Sequence, residues 1–334
     1  MSIRLVQLRN GADRAVALVE EPHLRVLEHF RSVHELAAKA IAEGTALSTL
    51  AQKHAAGSRL EYEAIYAGKS AWRLLTPIDH PTEPSRCLVS GTGLTHLGSA
   101  KNRAAMHSVS EAEMTDSMKI FRWGVENGRP APGKIGVAPE WFYKGGGTVL
   151  RGPNEPMVVP GYAEDGGEEA EIAGIYLVAE DGTPWRIGMA PGNEFSDHKF
   201  EKKNYLNLAG SKLRTCAIGP EICIDATFQS VPGSVSVERA GKTIWSKEIA
   251  TGEAEMCHSL ANIEHHHFKF EGHRRPGDVH VHYFGAVSLS FGDGWQLADG
   301  DLMAVQWSGF GRALRNPLRI EPKNETPIAI QSLK

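Results

Sequence analysis

From Arg86 onward the chain consists of short apolar runs cut apart by glycine and proline, and this punctuation restricts the possible fold more than any other feature. That pattern is the one expected of a β-rich domain. Cys87 to Ser90 reads as a buried strand running into the segment Gly91 to Asn102. That segment has neither a GxGxxG pattern nor a terminal GK[ST], so a ligand-facing loop is expected rather than a phosphate cradle. A helix is predicted over Glu111 to Val125, where Met114, Met118, Phe121 and Val125 form a packing stripe at helical spacing.

The first 80 residues have a different texture. Strands are predicted at Ile3 to Leu8 and Ala15 to Val19. A helix is read from Leu24 to Phe30 and on through Ala42, with Ser32 and Glu35 as a capping box and Gly44 as its stop. A second helix covers Leu47 to His54, and Tyr62 to Gly68 reads as a loop or short helix. The proline-rich run from His80 to Pro84 marks a boundary, so residues 1–80 are expected to form a small α/β cap or dimerisation domain, followed by residues 81–334 as a second domain.

A net charge of −4 gives no basic field for nucleic acid. Cys87, Cys216, Cys223 and Cys257 are scattered with no CxxC, which suggests reduced thiols rather than a disulfide framework. No apolar run reaches membrane-spanning length, and the N-terminus lacks a signal-peptide core. A soluble, cytoplasmic protein is expected, with no membrane partner.

Chemistry concentrates in Glu169-Ala170-Glu171 and in Gly192-Asn193-Glu194. On an extended strand Glu169 and Glu171 share a face, and two parallel carboxylates repel unless a cation or shared proton lies between them. Glu194, on the next turn or strand, would complete an oxygen-rich pocket for Mg²⁺ or Mn²⁺. The alternative is a solvated edge strand in an acidic region, since Glu164, Asp165 and Glu168 precede it. Lys144, after the aromatic run Trp141 to Tyr143, is on general grounds a surface lysine. Fifteen histidines raise a transition-metal alternative, but His265, His266 and His267 cannot all face one point, and no HExxH motif is present. His280 and His282 could share a strand face.

Seven motifs in order across roughly residues 86 to 320 resemble the fumarylacetoacetate hydrolase superfamily. They are Phe142 to Lys144, Leu150 to Pro153 with Val158 to Pro160, the two glutamate motifs, Ser211-Lys212 to Pro220, Pro276 to Val279, and Leu297 to Asp301 with Gly309 to Asn316. The resemblance implies an α+β protein whose catalytic domain is a mixed β-roll, with Glu169, Glu171 and Glu194 holding Mg²⁺ or Mn²⁺. Three departures stand out. Glu194 replaces the usual aspartate, Asp197 or His198 stands where an arginine often follows, and the stretch His280 to Ala286 lacks the usual Thr-Gly-Thr-Pro.

A cation held by three carboxylates suits a bidentate 2-oxo acid and stabilises the negative charge left when a C3 proton departs. His96, where relatives place an Asp-His pair, is the candidate acid/base, with a structural loop histidine as the alternative. Lys212 and Lys144 would supply positive charge. Thr95, Ser99, Thr215 and His282 are the expected substrate contacts. Gly91 to Arg103 and the added N-terminal region resemble the bacterial sugar-acid branch. That branch implies dehydration of a 2-keto-3-deoxypentonate of arabinonate or xylonate type to 2,5-dioxopentanoate in pentose catabolism. Acylpyruvate hydrolysis, and sugar-acid binding without turnover, are the alternatives. The tail from Asn316 reads as an extended arm, in keeping with a homodimer.

Overall fold

Ser32 starts the first helix, Val33–Glu43: its hydroxyl accepts the Glu35 N–H while the Glu35 carboxylate accepts the Ser32 N–H, and Gly44 ends the helix at φ +61°. Both halves of the capping box are therefore formed, in a computed structural model that describes residues 2–98 and 114–333. The helix does not extend back to Leu24. His23–Val26 is a strand paired antiparallel with Asp13–Glu20. Leu24, Leu27 and Phe30 have helical spacing, but strand pairing buries Leu24 in a core with Val6, Leu8 and Tyr62, and this packing overrides the local pattern. Leu47–His54 is helical as predicted, and Tyr62–Tyr66 is the short helix.

Thirteen strands form the larger sheet. One half of it runs Pro184–Asn193, Ala170–Val178, Val279–Tyr283, Cys87–Gly93 and, at the end, Glu140–Gly146, each hydrogen-bonded to the next. Ile3–Asn10 joins this sheet through Ile222–Ile224, so the N-terminal strands continue it across the boundary expected near residue 80. A second, five-stranded sheet runs Lys242–Thr251, Val231–Arg239, Leu302–Trp307, Leu314–Ile320 and Met157–Val159.

Strand alternation assigns each face its core. Ala173, Ile175, Val281 and Tyr283 pack in one cluster with Leu36, Ala37 and Leu50 of the two N-terminal helices. Ala170, Ile172 and Phe284 pack in the other with Val235, Val305 and Trp307 of the second sheet. The architecture is thus α+β with mixed sheets, as expected.

The helix predicted at Glu111 to Val125 spans Asp116–Asn127, with the Thr115 hydroxyl capping Met118 N–H; residues 111–113 lie outside the described residues. Met118 and Phe121 are half-buried and Val125 is exposed, so the stripe is only partly packed. All four cysteines are buried and free. Among the described residues no helix is long and apolar enough to cross a membrane.

Candidate active site

Ala170–Val178 lies in the middle of the large sheet with every residue buried, which removes the solvated-edge alternative. Glu171 belongs to this strand and Glu169 immediately precedes it. The neighbouring strand sets Gly192 opposite Glu171 and Asn193 opposite Ala170. Glu194 thereby arrives beside Glu169, where its N–H donates to the Glu169 carbonyl at 3.0 Å. One oxygen from each of Glu169, Glu171 and Glu194 lies within 4.8 Å of the other two. The glycine of the second motif has a packing reason: a Cβ on Gly192 would come within 2.5 Å of the Tyr283 ring.

The chain then turns sharply. Phe195 is buried at φ +58°, a conformation that costs a non-glycine residue about 1 kcal/mol. The turn aims the Phe195 carbonyl at Lys144 and brings Ser196 to the Glu194 carboxylate, 2.9 Å from Oε2. Asp197 follows as N-cap of the helix His198–Lys203, accepting the Phe200 N–H, and is held by Arg214 at 3.1 Å. That cap places His198 in the first helical turn, with Nε2 3.1 Å from Glu169 Oε1.

Two buried lysines enter from separate elements. Lys212, at the end of the helix Leu208–Lys212, has Nζ 2.7 Å from Glu169 Oε1, 2.5 Å from Glu194 Oε2 and 2.7 Å from Ser196 Oγ. It also lies over the Phe142 ring at 4.7 Å. Lys144, on Glu140–Gly146, is only 1% exposed, so the surface reading fails; its Nζ is 2.5 Å from Glu194 Oε1 and donates to Phe195 O at 2.8 Å.

Burial and mutual charge divide the carboxylates. Burial would raise Glu169, but the Lys212 ammonium and the His198 hydrogen bond outweigh it and hold the carboxyl well below its usual range. Burial, then the charges of Glu194 and Glu169, push Glu171 well above that range. Glu194 is raised by burial and by Glu169, with the two lysines opposing. Burial would lower Lys212, but Glu169 and Glu194 raise it well above the ordinary ammonium value.

This donor set fits a hard divalent cation. All three donors are carboxylate oxygens, the ligand type of Mg²⁺ and Mn²⁺. Glu194 Oε1 meets the Lys144 ammonium and Glu171 accepts one hydrogen bond, from Gly285 N–H at 2.6 Å, so lone pairs remain available on both carboxylates.

His96 is buried, and both of its ring nitrogens are engaged. The Thr95 hydroxyl donates to Phe284 O at 2.6 Å and so accepts from His96 Nδ1, at 2.9 Å. Nε2 is then the lone-pair nitrogen and accepts from the Thr251 hydroxyl at 2.7 Å. Burial lowers the imidazole to about 4. His96 lines a cavity of about 360 Å³ with Gly98, Ile249 and Val287. Gly285 connects this cavity to the carboxylates. Its N–H bonds Glu171, and a Cβ there would meet Thr95 Oγ1 at 2.0 Å and His96 Nδ1 at 3.3 Å.

His282 is not brought to the carboxylates. Tyr283 pairs with Ala173 and so shares the face of Glu171, which sends His282 through the sheet to the other side. There its ring is held by Ser90 at 2.9 Å and Thr92 at 2.6 Å, 4.5 Å from the ring of His267. His280 shares that face, as the alternation predicts. Thr215 Oγ1 instead accepts the Val158 N–H at 3.1 Å, and Ser99 lies outside the described residues. Ser196 and Gly285 were not identified from sequence, because neither carries a local signal.

No family model and no curated protein matches the chain. Solved structures do. A hexagonal crystal form of 2-keto-3-deoxyarabinonate dehydratase superposes with a TM-score of 0.71 at 17% identity, covering 96% of this chain and all of that one. A 2-keto-3-deoxy-D-arabinonate dehydratase complexed with magnesium and 2,5-dioxopentanoate gives 0.69 at 17% over the same shares. Fumarylacetoacetate hydrolase from Exiguobacterium antarcticum gives 0.59 at 17%, again with 96% of this chain and all of that one covered. The chain therefore has the fold of the fumarylacetoacetate hydrolase-like proteins, in agreement with the fold that its motifs imply.

Proposed function

We propose that this protein is a Mg²⁺- or Mn²⁺-dependent enzyme that dehydrates a 2-keto-3-deoxypentonate, of arabinonate or xylonate type, to 2,5-dioxopentanoate. The observation that carries this reading is the convergence of Glu169, Glu171 and Glu194 on one point, flanked by two buried ammonium groups. The magnesium and 2,5-dioxopentanoate bound to the similarly folded dehydratase support the choice of substrate.

When bound, the cation would act as a Lewis acid toward the 2-oxo acid. Glu169, Glu171 and Glu194 would hold it. The Lys144 and Lys212 ammonium groups keep positive charge beside the carboxylates and would favour the substrate's own carboxylate. His96 Nε2 carries the lone pair that would take the C3 proton, once the Thr251 hydroxyl turns away, and would return it to the departing C4 hydroxyl as water. Tautomerisation then places the aldehyde at C5, and the balance is loss of one water with no carbon–carbon bond broken. In acylpyruvate hydrolysis the same base would instead deprotonate a water attacking the C4 carbonyl, the C3–C4 bond would break and C3 would take up the proton, so the two reactions are separated by their products.

An NMR time course with Mg²⁺, racemic 2-keto-3-deoxypentonate and an EDTA control tests this reading. An aldehyde signal only with metal is expected. Pyruvate or a second acid from an acylpyruvate, with no aldehyde from the pentonate, would replace dehydration with hydrolysis.

A further inference from the structure

The segment from Gly285 to Asp293 meets the carboxylate region at three successive points. At its start, Gly285 N–H donates to Glu171 Oε2 at 2.6 Å. Five residues on, Ser290 is held by both oxygens of Glu168, its N–H donating to Oε1 at 2.6 Å and its hydroxyl to Oε2 at 2.8 Å. Both side chains are excluded from solvent. Next, the Phe291 ring stacks on His198 at 5.2 Å between centroids and 28° between planes. His198 in turn is bonded to Glu169 Oε1. At the far end, Asp293 accepts from Trp245 Nε1 at 3.0 Å and pairs with Lys247 at 3.1 Å, tying the segment to the second sheet.

This arrangement follows from the placement of the metal-site glutamates. Glu168 directly precedes Glu169, so the residue that grips the segment and the residue that would bind the cation share one stretch of backbone. The His198 ring is confined on two sides. A Cβ on Gly167 would lie 2.7 Å from Nδ1, and Phe291 covers a ring face. With Nδ1 making no hydrogen bond, packing on the ring is what supports the Nε2–Glu169 hydrogen bond.

We propose that Ser290 and Phe291 are positioning residues of the metal site: the segment is a strap, seated by Glu168, that holds His198 against Glu169 and Gly285 against Glu171. This rests on the reading of the three glutamates as a divalent-metal site. Partners of ligating side chains set ligand orientation, and their loss commonly weakens metal binding 10- to 100-fold.

The test is Mn²⁺ binding to the purified full chain, followed by EPR and calorimetry without substrate. Phe291→Ala and Ser290→Ala should each weaken Mn²⁺ about tenfold, whereas Phe291→Tyr and Ser290→Thr should stay within about twofold of wild type. The double variant Phe291→Ala/His198→Asn should bind no more weakly than His198→Asn alone, because Phe291 acts through His198. If Phe291→Ala does not fold by circular dichroism, Phe291→Leu keeps the bulk without the flat stack and takes its place. Unchanged Mn²⁺ affinity in the alanine or leucine variants, or losses that multiply in the double variant, would overturn the strap. A wild-type chain that binds no Mn²⁺ would overturn the metal-site reading itself, and the strap with it.

Discussion

Lys212 Nζ lies 2.5 Å from Glu194 Oε2, with neither side chain more than 4% exposed. An ammonium enclosed by carboxylates neutralises them before any metal arrives. Lys212→Met should remove that neutralisation, leaving Glu194 to Lys144 and Glu169 to His198 in a buried site. The expected cost is about 3 kcal/mol of stability without metal, the scale for breaking a buried pair. Saturating Mg²⁺ should then raise the melting temperature of the variant more than that of wild type, because the cation replaces the lost charge. Equal shifts in calorimetric scans would show that Lys212 does not balance the carboxylates.

Glu169→Gln keeps the shape of the side chain and removes one negative donor. Turnover with Mg²⁺ should fall by at least a hundredfold while the far-UV spectrum stays that of wild type. Full activity in the variant would remove Glu169 from the site.

His96→Asn separates the acid/base role from the structural alternative. The expected outcome is a large loss in kcat with Mn²⁺ affinity unchanged within about twofold, since His96 is one residue removed from Glu171, across Gly285. An unchanged kcat with a lowered melting temperature would establish the structural loop histidine.

Buried imidazoles impose a pH dependence on stability. His280 and His282 are each lowered to about 3 by burial and by neighbouring histidines, and His267 is lowered for the same reasons. A base whose folded value is depressed contributes full stability above its unfolded value near 6.5. That contribution is lost as pH falls below 6.5, because only the unfolded chain takes up the proton. Each such histidine costs about 1.4 kcal/mol per pH unit in that window. Glu171 is shifted upward and works in the opposite direction, so the diagnostic is a difference. Between pH 6 and 4, chemical denaturation of His282→Gln should show a slope smaller than wild type by one proton, and equal slopes would refute the buried neutral state.

The C-terminal arm offers a test of the homodimer expected from the sequence. After Asn324 N–H bonds Gly161 O, the chain exposes Ile328, Ile330 and Leu333 at 86%, 86% and 105%. A second subunit packed on this arm would cover all three. Truncation after Asn324 should convert a dimer into a monomer by light scattering, and an unchanged mass would place any interface elsewhere.

Features that depend on contacts within a few residues are legible in the chain alone. The Ser32 and Glu35 capping box, the Gly44 stop and the common face of Glu169 and Glu171 are consequences of helix and strand periodicity, so they can be read without the rest of the chain. The remaining features arise from pairing between distant segments. Leu24 became part of a strand because Asp13–Glu20 was there to pair with it, and His282 fell on the far face because its neighbour Tyr283 lies opposite Ala173. Lys144, Lys212 and Phe291 arrive at the carboxylates from segments far apart in the chain, and no local spacing encodes that meeting. For the strand residues Glu171 and Lys144, register sets which side chains converge, and a one-residue slip would send either to the opposite face.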